Sequence, residues 1–195
     1  MNKFAATTLF TVVAMSAILA NTPPRAQSDD NTVSVGGNAM FPQKNIVENA
    51  INSKDHTTLV AAVKAAGLVD VLQGKGPFTV FAPVNSAFAM LPDGTVDILL
   101  KPENKATLVK ILTYHVVSGR YDSKSLRSLI MKGHGKAELK AVSGGTLTFS
   151  MNGPSNIVIT DEKGGSANIP TYDVYQSNGV IHVIDHVLMP SVASR

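Results

Sequence analysis

The chain contains no cysteine and no tryptophan. Without cysteine, thiol catalysis, thiolate zinc sites, iron–sulfur ligation and disulfide staples are all excluded. Four tyrosines and seven phenylalanines are the whole aromatic supply, which leaves few rings to line a sugar or heterocycle pocket. Charged residues make up only 16% of the chain, with no Lys/Arg cluster interleaved with aromatics, so nucleic acid is not an expected partner. No G-x-S-x-G elbow occurs. "GKG" at 74–76 and "GHGK" at 133–136 complete neither a phosphate loop nor a dinucleotide fingerprint and read as turns. Asn-x-Ser/Thr acceptors and the Arg-Gly-Asp tripeptide are absent. No catalytic residue, cofactor or metal is expected.

What is present is apolar bulk. Hydrophobic residues are 44% of 195 positions, enough for one domain with a proper core. One hydrophobic run is long. It covers residues 4–20, follows Lys3, carries no charge and leads into "NTPPRAQS". That order predicts an export signal over residues 1–26, cleaved after Ala20 or Ala26. A retained membrane anchor is the alternative, although the run is short for a comfortable span. The mature chain is expected to lack an integral membrane segment and to be secreted, either to the periplasm or outside the cell. The formal charge of +3 from 17 bases and 14 acids also shrinks on cleavage. Removing Lys3 and Arg25 leaves fifteen bases against fourteen acids.

Residues 27–40, "QSDDNTVSVGGNAM", are polar with scattered apolar positions and read as a flexible leader. From Phe41 the pattern turns helical. Ile46, Val47, Ala50 and Ile51 share one face, as do Leu59, Val60, Val63 and Ala66. Ser53 and Asp55 are candidate start residues for the second helix and Gly67 its stop. "GPFTVFAPVNSAF" (76–88) then gives a strand apolar on both faces, the pattern of a covered central strand. Pro83 ends its pairing, and Asn85 is expected to cap a following helix whose apolar side includes Phe88. After Tyr121 the texture is mainly strands at 137–142, 146–151 and 156–161, separated by turn formers. "GVIHVIDHVLMP" closes the chain as a second doubly apolar strand. Helices around one central strand, followed by a β-rich half, make an α+β layout.

"TVFAPVNSAF" (79–88), "YHVVSG" (114–119) and "NGVIHVIDHVLMP" (178–190) together resemble the three signature stretches of the fasciclin, or FAS1, domain, in the family's order and spacing. The resemblance spans 41–191, with 192–195 left as a tail. Val84 stands where the family usually has Thr, and Met189 where Leu is common. The resemblance implies a wedge of two β-sheets with several short helices packed around it. It implies adhesion or matrix contact through protein or glycan partners, and no enzymatic activity. Its signature positions here are Phe81, Pro83, Asn85, Phe88, Tyr114, His115, Gly179, His182, Ile184 and Asp185. The Tyr-His pair belongs to a region linked to receptor contact in animal members.

Histidine is the only residue type left for metal or acid–base work. His182 and His186 have a spacing that chelates zinc on a helix. On a strand the same spacing puts them about 13 Å apart, so they cannot share an ion. His182 is expected to be a hydrogen-bonded core residue, and Tyr114–His115 a buried pair pinning helix to sheet. Asp185 and His186, as strand neighbours, should point to opposite faces and form no pair. The remaining signal is electrostatic. Lys132, His134, Lys136 and Lys140 lie in "MKGHGKAELK", read as an exposed loop with one glutamate. They are the candidate contacts for an unidentified cell-surface protein or polysaccharide. A small-ligand carrier is the alternative, and it needs an apolar cavity of some hundreds of cubic ångströms.

Overall fold

The computed structural model describes residues 32–191. The expected export signal, residues 27–31 of the expected leader and the 192–195 tail lie outside the described residues. The first elements are a hairpin, β1 (Val33–Val35) and β2 (Asn38–Met40), and three helices, α1 (Ile46–Asn52), α2 (Thr57–Ala66) and α3 (Val69–Gln73). Then come β3 (Phe78–Pro83), α4 (Asn85–Ala89), α5 (Thr95–Leu99), α6 (Lys105–Tyr114), β4 (Val116–Ser118) and α7 (Ser123–Lys132). Six strands complete the fold: β5 (Lys136–Lys140), β6 (Thr146–Asn152), β7 (Asn156–Thr160), β8 (Ser166–Asn168), β9 (Thr171–Gln176) and β10 (Gly179–Ile184).

The two doubly apolar stretches are neighbours. One four-stranded sheet has the order β4-β3-β10-β9, with β3 and β10 parallel from Gly179 opposite Phe78 to Ile184 opposite Pro83. Every residue of β10 is buried, as is every residue of β3 after Phe78. Alternation sends Val80, Ala82, Ile181 and Val183 toward a layer of helices α1, α2, α3 and α6. Phe81 and Ile184 face the opposite way. They meet a second sheet, β5-β6-β7-β8, through Leu147, Phe149, Ile157 and Ile159, with Leu126 and Ile130 of α7 closing the cluster. A central sheet covered by helices on one face and by a sheet on the other needs no polar face on its inner strands. A Val117–Ala141 bridge joins the two sheets at one edge.

Three local expectations change. The stretch read as a flexible leader folds from Val33 onward as a hairpin, because Gly36 and Gly37 at φ 62° and 75° supply its turn. Its Val35 and Met40 are buried in the helix-side cluster. Asn85 does begin a helix, but its side chain makes no cap there. It reaches instead to the start of α2, where its Oδ1 accepts the Thr58 amide at 3.0 Å, while its Nδ2 donates to the Lys54 carbonyl just before that helix at 2.9 Å. Ser53, expected to start α2, ends α1 and bonds to His56 Nδ1 at 2.8 Å. Gly67, at φ 72°, stops α2 as expected, with its amide on the Lys64 carbonyl.

Candidate functional site

Seven of the ten signature residues are buried, and Asn85, Phe88 and Asp185 are half-buried. Phe81 is fully buried, its ring 5.4 Å from that of Phe149 and stacked on His182 at 5.6 Å. Pro83 ends β3, Phe88 of α4 packs on the helix-side cluster, and Ile184 is fully buried between the sheets. At Gly179 an added Cβ would stand 2.2 Å from the Phe78 carbonyl oxygen, so the parallel pairing begins where only glycine fits.

Tyr114 and His115 end α6 and tie it to the C-terminal segment. The Tyr114 hydroxyl donates to the Thr146 carbonyl at 2.8 Å and accepts the Glu162 amide at 3.1 Å. Burial pushes that hydroxyl's pKa up to about 12. His115 Nδ1 lies 2.8 Å from the Ile111 carbonyl, and its Nε2 accepts the Leu188 amide at 3.0 Å. Those two partners require the Nδ1–H tautomer. Burial pulls the His115 pKa down to about 4, opposed by the Ile111 carbonyl and by Asp161. The same segment is held by two acids the sequence did not single out. Asp161 accepts the Met189 amide at 2.9 Å, and Glu162 accepts the Ser191 amide at 2.9 Å.

His182 is the second node. Its Nε2 donates to the Tyr121 carbonyl at 2.8 Å and its Nδ1 accepts the Asp173 amide at 3.3 Å. Burial lowers its pKa, against the Tyr121 carbonyl and the nearby Asp173 and Asp122. Both ring nitrogens are therefore committed to backbone groups. Among the described residues, no group of three or more His, Asp or Glu is placed to hold a metal ion.

The Asp185–His186 expectation is corrected. The strand stops at Ile184, so residues 185 and 186 lie on a bend and strand alternation no longer separates them. His186 Nδ1 reaches Asp185 Oδ1 at 2.8 Å. The carboxylate is already engaged by the amide and side chain of Asn168, both at 2.8 Å. It secures the turn into β9 and leaves the imidazole exposed.

The basic stretch is not a loop. Lys132 closes α7, a tight turn with His134 at φ 54° follows, and Lys136 and Lys140 stand on β5, an edge strand. All four are exposed, with Glu138 the acid between them. Strand parity puts Lys136, Glu138 and Lys140 on the outward face of the second sheet. Register then places Lys136 beside Ser150 and Val158, Glu138 beside Thr148 and Thr160, and Lys140 beside Thr146. The hydroxyl row was missed from the sequence, although the polar half of each alternating strand was its signal.

Between α1–α3 and the first sheet lies an apolar cavity of about 130 Å³. That is below the several hundred cubic ångströms a drug-sized ligand needs, so it gives no support to a carrier of ligands that large.

Known proteins fit this arrangement. Residues 54–190 match the model of the fasciclin domain. The chain is 49% identical over 145 residues to protein sll1483 of Synechocystis, covering 74% of this chain and 73% of that one. It is 30% identical to the immunogenic protein MPB70 of Mycobacterium bovis, over 97% of both chains. Its fold is similar to that of a FAS1 domain pair from the insect cell adhesion molecule fasciclin I, with a TM-score of 0.54 at 22% identity. That match covers 67% of this chain and 43% of the two-domain chain. The chain belongs to the fasciclin domain family.

Proposed function

We propose that this chain is an exported, non-enzymatic binding module that engages an anionic polysaccharide at the cell surface through the basic edge of its second sheet. The observation that carries the reading is the exposed run of Lys132, His134, Lys136 and Lys140 along the end of α7 and β5. Three ammonium groups opposed by one carboxylate, beside a row of threonine and serine hydroxyls, suit a polymer of spaced negative charges and hydroxyls. The buried histidines support the non-catalytic part, since His115 and His182 spend their ring nitrogens on backbone groups. Export rests on the residues 1–26 pattern. Among the described residues no helix is long and apolar enough to cross a membrane. The link to adhesion comes from the insect cell adhesion molecule with the similar fold.

Retention on immobilised alginate at low ionic strength tests the reading. The chain should be held, be released by salt, and ignore neutral dextran. Lys132→Glu, Lys136→Glu and Lys140→Glu combined should abolish retention with the melting temperature unchanged. Equal retention of the triple variant contradicts the proposal. Binding to anionic phospholipid vesicles but not to alginate would replace the polysaccharide with a lipid surface.

A further inference from the structure

We infer that the cavity under the helical layer is a binding site for a neutral apolar molecule of about benzene's size. Its floor is the helix-facing side of the first sheet, including Val80, Ile181 and Val183, and its roof includes Val47, Leu59 and Val63. The space has a structural cause. Strands about 4.8 Å apart make a four-stranded sheet roughly 14 Å across. The roof over it is four helices of only seven, ten, five and ten residues. Ala50 of α1 and Ala82 of β3 also line the space, where longer side chains would fill it.

Size and polarity define the occupant. At about 130 Å³ the volume is close to that of engineered aliphatic cavities of about 150 Å³ that stay dry and bind benzene or xenon. An ordered water needs two to four polar partners. Two histidines touch the wall, and neither supplies such a set. His115 has both ring nitrogens engaged. His56 has Nδ1 on Ser53, and its Nε2 lies toward the Ala82 carbonyl without reaching hydrogen-bond geometry. Access is present, because Ile51 and Val71 line the cavity and are 52% and 54% exposed. The charged residue in the lining, Lys64, is itself exposed. The site is independent of the basic edge, which lies on the second sheet.

The test is titration of the full chain with benzene, followed by methyl NMR and thermal unfolding, with xenon as a second probe. Shifts should be confined to methyls of lining residues such as Leu59, Val63 and Ile181, and the melting temperature should rise with benzene concentration. Val63→Phe, and the milder Ala50→Leu should the first not fold, should abolish both effects. Absence of shifts in the unsubstituted chain overturns the inference, as do shifts that persist in a folded, filled variant. Saturable binding of hexanoate without binding of benzene would also overturn it, moving the site to a carboxylate held by Lys64.

Discussion

The Nε2 of His115 accepts the backbone amide of Leu188 at 3.0 Å, 73 residues further along the chain. One neutral imidazole thereby joins the end of α6 to a C-terminal segment that has no ladder of its own. Protonation would turn that acceptor into a donor facing an N–H.

The pH dependence of stability follows. Unfolded His115 titrates near 6.5, and the native residue resists protonation until about 4. Between those values the unfolded chain binds more protons, so stability rises with pH. The contribution is fully present above about 6.5 and is lost as pH falls toward 4, on the order of 3 kcal/mol. His56 and His182, also lowered by burial, act in the same direction. Glu162, held low by the Thr146 and Ser191 amides, adds to the loss further into acid. Chemical denaturation from pH 7.5 to 4 should show this slope, and His115→Gln should flatten it while lowering stability at pH 7.5.

Asn85→Ala removes the side chain that satisfies the first turn of α2 from outside that helix. The expected cost is about 1 kcal/mol, read from a denaturant midpoint at unchanged slope. Ser86→Ala, its exposed neighbour, should change little.

Ile184 is completely buried between the sheets. Ile184→Ala should cost about 2–5 kcal/mol through lost transfer energy and a cavity. Ile98, 53% exposed on α5, should lose less than about 0.5 kcal/mol when truncated in the same way. Equal costs at the two sites would contradict the layered core.

Gly179→Ala places a methyl against the Phe78 carbonyl, where an undisturbed Cβ would be only 2.2 Å away. The backbone must move at the start of the β3–β10 pairing. The loss should exceed the ~1 kcal/mol typical of a point substitution, and amide exchange should quicken first at Val180 and Thr79, which are register partners.

Much of the frame was legible because it is written in local periodicity. Two runs apolar on both faces announced central strands, and Gly67 announced a helix end. What escaped was set by distant contacts. Asn85 carries the chemistry of a local cap, yet the amide it satisfies belongs to a helix 27 residues earlier. Asn178, the first residue of the third signature stretch, is a second case. Its Oδ1 accepts the Ile46 amide at 3.1 Å and its Nδ2 donates to the Leu72 carbonyl at 2.8 Å, closing α1 and α3 together. The Gly-Gly hairpin signal at 36–37 was visible but sat in polar surroundings, and burial of Val35 and Met40 depends on helices that follow. Strand parity misled at Asp185 because the strand ends at Ile184, well before Pro190, where the apolar pattern closes. The cavity had no local signature, since it arises from how short helices span a wide sheet.

Labour is divided in the proposed reading: the buried signature residues hold the fold and the basic edge binds. Melting temperature and alginate affinity measured side by side for His182→Gln and Lys136→Glu test it most directly. A crossover is expected: His182→Gln lowers the melting temperature and, below it, binds alginate as the parent does, whereas Lys136→Glu melts like the parent and binds more weakly. A folded His182→Gln that no longer binds, beside a Lys136→Glu that binds undiminished, would contradict it.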